Sequence, residues 1–170
     1  GCSGGGALTA WIGALDPRVK AVAVACYIST YKFLFAGRNP DTEMSLPGFL
    51  SLGLDMADIV TLTAPKPWLL LATEEDYFTP AAARQVYAEA RRSFTLLGAP
   101  ERLQFFVAPG GHGTPQPTRE RIYTWMYRWL RNGSGPVPER PVGEFTNLDL
   151  RVTRTGNVHD EPGARRLHEI

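Results

Sequence analysis

Gly1-Cys2-Ser3-Gly4-Gly5 decides how the rest of the chain is read. The pattern G-x-S-x-G fits a nucleophile elbow, a sharp strand-to-helix turn that exposes a serine hydroxyl and leaves no room for side chains at the flanking glycines. After it, Ala7, Leu8, Trp11, Ile12 and Leu15 recur at helical spacing until Asp16-Pro17 stops the run, so Ser3 stands at a helix N-terminus. The strand that such a turn needs does not precede it in the sequence. The expectation is therefore a piece of a longer protein, with the N-terminal strands of its sheet missing.

Downstream, three short apolar runs read as strands. Ala21 to Ala25 is apolar throughout, which suits a parallel strand covered on both faces, and Trp68 to Ala72 repeats the pattern after Pro65-Lys66-Pro67. Leu103 to Val107 is the third. Between the second and third, Thr79 is placed to cap a helix, Pro80 suits its first position, and Gly98 suits its C-terminal stop. A last helix over Pro117 to Arg131 carries Ile122, Trp125, Met126 and Trp129 on one face, where core packing is expected of both tryptophans. Residues 29–63 form an excursion, irregular at first, with one or two short helices expected over Leu46 to Leu62; a lid or pocket wall could lie there. Helix and strand alternate, which argues for a parallel sheet with helices on its faces. From Gly133 to Gly143 the composition turns to Gly, Pro and charge, as in a linker, and the remainder reads as an extended tail with strand character over Phe145 to Val158. The predicted organisation is thus a partial catalytic domain over residues 1–132 and a linker and tail over 133–170.

The chain has 170 residues, 44% of them hydrophobic and 21% charged, which is the composition of a globular domain rather than a disordered one. Its 18 basic and 17 acidic residues leave a formal charge of +1 without a basic cluster, so no nucleic-acid footprint stands out. No apolar run approaches the roughly 20 residues of a spanning helix. Compartment is left open. Two cysteines, Cys2 and Cys26, are too few for a disulfide scaffold. They are read as two buried free thiols or, if their Cα atoms lie within roughly 4.4–6.8 Å, as one bridge.

A serine hydroxyl becomes a useful nucleophile only beside a base, and the base needs a third group to fix its tautomer. Asp76 lies in the loop after the second strand and His112 in the Gly-rich loop after the third; loops at the carboxyl ends of parallel strands converge. Glu74 and Glu75 compete with Asp76, and among them Asp76 is preferred because it directly precedes Tyr77-Phe78 and the cap at Thr79. Ser3, Asp76 and His112 are the candidate catalytic residues, and the backbone N–H of Gly4 is the candidate oxyanion donor, aided by the helix it opens. A second donor is expected from a loop after an earlier strand. Tyr27 and Phe78, just past strand ends, are candidate pocket residues. His159 and His168 have no metal-site spacing and read as exposed.

These residues resemble the α/β-hydrolase superfamily, and within it the bacterial acetyl xylan esterase and dienelactone hydrolase-like branch. The resemblance covers roughly residues 1–131. It rests on Gly1 to Gly6, Leu15-Asp16-Pro17-Arg18-Val19, Cys26-Tyr27, Leu46-Pro47-Gly48, Asp55-Met56-Ala57-Asp58, Ala64-Pro65-Lys66-Pro67, Asp76-Tyr77-Phe78 and Gly111-His112-Gly113. It implies a three-layer α/β-hydrolase sandwich in which Ser3 is nucleophile, His112 base and then acid, and Asp76 its orienting partner. The substrate it implies is a small-molecule or carbohydrate ester, with no metal and no organic cofactor. Leu150 to Thr153 with Thr155 to Val158 resembles a connecting segment of larger members, in which more chain follows. Prolyl oligopeptidase-type peptidases share the turn and the triad order and are the rival expectation. The non-enzymatic alternative is an incomplete fragment with a structural or binding role.

Overall fold

Alternate residues of the three apolar runs face opposite ways, and helices cover both sides. The computed structural model describes residues 1–37 and 46–170. Strands β1 (Val22–Ala25), β2 (Trp68–Thr73) and β3 (Leu103–Ala108) form a parallel sheet in that order. Val22 stands opposite Trp68, and Trp68 opposite Leu103. On one face Val22, Val24, Trp68, Leu70 and Leu103 pack with Ala7, Ala10 and Ala14 of α1 (Gly4–Leu15), with Met56, Ile59 and Val60 of α3 (Met56–Thr61), and with Val86, Ala90 and Phe94 of α4 (Pro80–Leu96). Tyr31 and Leu34 of α2 (Tyr31–Gly37) join the same cluster. On the other face Ala23, Ala25, Leu69 and Leu71 meet Trp125, Ile122, Met126 and Trp129 of α5 (Gln116–Arg131). Three layers result, helices on a sheet on a helix. Every residue of β2 is buried, because this strand has neighbours on both edges and cover on both faces.

Local chemistry sets the element ends. The Thr79 hydroxyl accepts from Ala82 N at 3.3 Å, Pro80 opens α4 without a wasted donor, and Gly98 at φ 68° follows its last turn. Asp55 and Asp58 make a reciprocal capping box for α3, and Asp55 Oδ1 also accepts from Tyr31 N at 3.1 Å, which fastens α2 to α3. Lys66 Nζ donates to the Gly13 and Asp16 carbonyls, so a cation sits at the C-terminal end of α1, where the helix dipole favours it.

The excursion holds α2, a short 3-10 turn at Leu50–Leu52 and α3. Its residues 38–45 lie outside the described residues. The early part is not irregular as the aromatic and Gly content suggests: Tyr31–Gly37 is helical, and the Thr30 hydroxyl accepts from Phe33 N at 3.3 Å at its start.

Contacts divide the chain into two compact units, Gly1–Glu139 and Arg140–Ile170. Residues up to Glu139 belong with the first because Arg119 grips Glu139 at 2.6 Å through both Nε and Nη2, and Thr124 Oγ1 accepts from Val137 N at 2.9 Å. In the second unit the strand character expected over Phe145 to Val158 is not realised. The Asp149 carboxylate instead accepts from Thr146 N and Oγ1 at 2.9 and 2.6 Å, a local turn that competes with extended pairing. Among the described residues no helix is long and apolar enough to cross a membrane.

Phe94 is fully buried between α4 and the sheet. Phe94→Ala is expected to lower the unfolding free energy of the sheet unit by about 3–5 kcal/mol in urea titration, through lost burial and a residual cavity.

Candidate active site

The ladder does not end with β1. Gly1 N donates to Ala23 O at 3.0 Å, Ala25 N to Gly1 O at 2.9 Å and Ser3 N to Ala25 O at 3.0 Å, so residues 1–3 run parallel beside β1. The next residue begins α1. Turning from strand to helix within one residue puts Ser3 at φ 57° and ψ −126°, a conformation that costs a side chain about 1–3 kcal/mol. Such strain persists only where the surroundings impose it. Here they do: a Cβ on Gly1 would strike the Gly5 carbonyl and the Thr9 hydroxyl, and one on Gly6 would lie 2.8 Å from Ala25 O and 2.9 Å from Tyr27 Cβ. Gly5, by contrast, has open space around it. The two glycines that crowding requires are therefore Gly1 and Gly6; the sequence pattern had pointed to Gly1 and Gly5.

At the same edge of the sheet, His112 Nδ1 meets both carboxylate oxygens of Asp76, at 3.0 and 3.1 Å. The Asp76 side chain is 0% exposed and the imidazole 28%. Asp76 Oδ1 also accepts from Phe78 N at 2.9 Å, and Oδ2 from Thr73 Oγ1 at 3.3 Å. A buried carboxylate is tolerable when donors surround it, and this one has three. Glu74 and Glu75, the rival acids, are exposed. With Nδ1 turned to a carboxylate, the imidazole carries its proton there and presents Nε2 as an acceptor.

Cys26, just past β1 and itself at φ 50°, joins the two halves. Its thiol donates to Gly113 O at 3.1 Å, and its sulfur, an Asp76 oxygen and a His112 nitrogen all lie within 4.8 Å of one another. Ala25, its neighbour in sequence, holds Ser3. Burial pushes the Cys26 thiol up to about 12, so it keeps its proton and is no ready metal ligand. Both cysteines are free.

Two features differ from the sequence expectation. Tyr27 and Phe78, expected at the pocket, are 1% and 2% exposed and pack in the core with ring centroids 6.2 Å apart, because both turn inward onto the apolar face shared with α1 and α4. The exposed aromatic at the site is Tyr77, unforeseen because nothing in its spacing separates it from Phe78. Its ring stacks on His112 with centroids 4.6 Å apart and planes at 21°, and its hydroxyl lies 3.3 Å from Nε2. Ser3 Oγ makes no hydrogen bond among the described residues. A cavity of about 390 Å³ lined by Ser29, Phe33, Leu34, Ala36, Gly37, Tyr77 and Thr79 adjoins this aromatic, with α2 as one wall.

A parallel sheet between helices, with a serine on a strained strand-to-helix turn and a carboxylate-held histidine beyond the following strands, is an α/β-hydrolase fold. No family model matches the chain. A curated relative, Putative hydrolase YtaP of Bacillus subtilis (strain 168), is 26% identical over 137 residues, covering 76% of this chain and 44% of that protein. Among solved structures, a carbohydrate esterase family 15 glucuronoyl esterase from Caldicellulosiruptor kristjansonii aligns with a TM-score of 0.66 at 18% identity, over 79% of this chain and 43% of its own. Methylesterase BT1017 aligns at 0.64 and 22% identity, over 77% of this chain and 29% of its own. The chain spans less than half the length of each of these proteins.

The crowding at Gly6 and the space at Gly5 predict opposite outcomes. Gly6→Ala is expected to destabilise by about 1–3 kcal/mol by forcing α1 away from β1, whereas Gly5→Ala is expected to be neutral or to gain up to about 1 kcal/mol of helix stability; urea midpoints check both. Cys26 is expected to resist iodoacetamide at pH 8 in the folded protein and to react on denaturation. Because its folded value lies above the ordinary 9.0, its contribution to stability is present below about pH 9 and is lost as the pH rises towards 12, which a pH series of thermal melts would register.

Proposed function

We propose that Ser3, His112 and Asp76 are the catalytic triad of a carboxylic-ester hydrolase that works through an acyl-enzyme. The observation that carries the reading is the Ser3 backbone, which holds a strained turn at a helix N-terminus beside the strand whose next residue touches the His112 loop. In this reading His112 Nε2 takes the Ser3 Oγ proton as the oxygen attacks the ester carbon. Asp76 keeps the imidazole oriented and stabilises it once charged. The negative oxygen of the tetrahedral intermediate is held by the Gly4 N–H, one of the first-turn donors of α1 that lack an intrahelical partner. The imidazolium then protonates the departing alcohol, and the acyl group on Ser3 is released by water through the same steps in reverse.

Carbohydrate esters, acetyl esters among them, are the substrates we place first. A glucuronoyl esterase and a methylesterase share the fold, and the curated relative is named as a hydrolase. The cavity beside Tyr77, about 390 Å³, is of a size for a small ester group. Residues 1–132 are proposed as the catalytic part and the chain beyond as linker and tail.

With Gly4 as the one oxyanion donor identified, the purified protein is expected to hydrolyse 4-nitrophenyl acetate or acetylated xylan slowly, roughly a hundred- to thousandfold below a site with two donors. Ser3→Ala and His112→Ala should abolish turnover, and Asp76→Asn should reduce kcat by about ten-thousandfold. Cleavage of a proline-containing peptide amide with no ester hydrolysis would replace the reading with a peptidase. A folded protein in which a fluorophosphonate leaves Ser3 unlabelled rejects the triad outright.

A further inference from the structure

His112 is flanked by Gly111 and Gly113, which offer no side chains to brace it. The Asp76 bond at Nδ1 fixes one edge of the imidazole but leaves the ring free to tilt about that edge. Among the described residues, two rings stack on it, Tyr77 in close contact and Phe78 farther off at 6.1 Å. At a centroid separation of 4.6 Å and 21° between planes, rings set side by side would overlap in space, so the two must lie face to face. The Tyr77 hydroxyl lies 3.3 Å from Nε2, within hydrogen-bond distance of that nitrogen.

We infer that Tyr77 is a positioning residue for His112: its ring sets the tilt of the imidazole so that Nε2 points in plane towards the serine, and its π face supports the ring when Nε2 gains a proton. This rests on the triad reading above. A neutral imidazole stacks on a phenol through dispersion, and a protonated one is drawn further to the negative face of the ring. The support grows as charge develops, which is when catalysis needs it. Phe78 completes the aromatic group, its ring 6.1 Å from His112 and 4.7 Å from Tyr77. Tyr77 also walls the cavity lined by Ser29, Phe33 and Leu34, so a substrate group seated there meets the ring that stacks on His112. Substrate binding and base orientation thus share one side chain.

The test compares Tyr77→Leu and Tyr77→Phe in the purified protein. Tyr77 is 42% exposed, so neither change opens the core. One measurement needs no activity: the ring protons of His112, assigned by their loss in His112→Ala, should show an upfield ring-current displacement in the wild type and in Tyr77→Phe, and lose it in Tyr77→Leu. The other is the rate at which a fluorophosphonate labels Ser3. We expect it to fall about 2- to 30-fold in Tyr77→Leu and to recover in Tyr77→Phe. Labelling of Tyr77→Leu at the wild-type rate overturns the inference, as does a loss in Tyr77→Phe as large as that in Tyr77→Leu. Labelled Ser3 without a ring-current displacement sinks the role of Tyr77 alone. An unlabelled Ser3 with the displacement intact sinks the triad and that role together.

Discussion

A serine does not hold φ 57° and ψ −126° by its own preference; it is held there from both sides. On the strand side, Ala25 accepts from Ser3 N and donates to Gly1 O, so the turn is clamped between two rungs of a parallel ladder. On the helix side, Gly6 lets α1 come to within contact of the Ala25 carbonyl and Tyr27. A larger residue at position 6 would lift the helix, relax the turn and swing the hydroxyl away. The same constraint aims the first turn of α1, with its unpartnered N–H groups, at the sheet edge where the loops of Asp76 and His112 arrive. The position of the Ser3 side chain and the direction of the helix field have one cause.

The acid is organised by a second principle, that a carboxylate removed from water must be surrounded by donors. Phe78 N, Thr73 Oγ1 and His112 Nδ1 supply them from three different segments. Asp76 therefore fixes the loop after β2 to itself, to the strand end and to the loop after β3. Cys26 fills the space behind it with a side chain that keeps its proton and fastens Gly113. A smaller side chain there would leave the His112 loop without its tether to β1.

Much of this was legible in the sequence where local rules dominate. The apolar runs Ala21 to Ala25, Trp68 to Ala72 and Leu103 to Val107 read as strands and each falls within one residue of an observed one, and the cap at Thr79 with Pro80 marks the start of α4. The loops of Asp76 and His112 were expected to converge at one edge of a parallel sheet, and the two side chains meet there. What escaped depended on contacts across the fold. That Gly6, not Gly5, is crowded is decided by Ala25 and Tyr27, some twenty residues away. Whether Tyr77 or Phe78 faces the site turns on one step of the chain after Asp76, where the Asp76–Phe78 bond rotates Phe78 inward. The tail offered apolar residues at strand-like intervals, yet Asp149 and Thr146 close a turn that no pattern of hydrophobicity records.

The Lys66 clasp on the far end of α1 has a mechanical consequence. Helix α1 has 12 residues and rises about 18 Å, and β2 has 6 and rises about 20 Å. The two lie as matched arms of a calliper: Lys66, just before β2, holds the Gly13 and Asp16 carbonyls at one end, and Ser3 and the Asp76 loop stand at the other. Lys66 fastens the two arms at the end of the strands away from Ser3 and Asp76. A side chain at the opposite end of the strands thus ties the helix that opens at Ser3 to the strand that leads to Asp76.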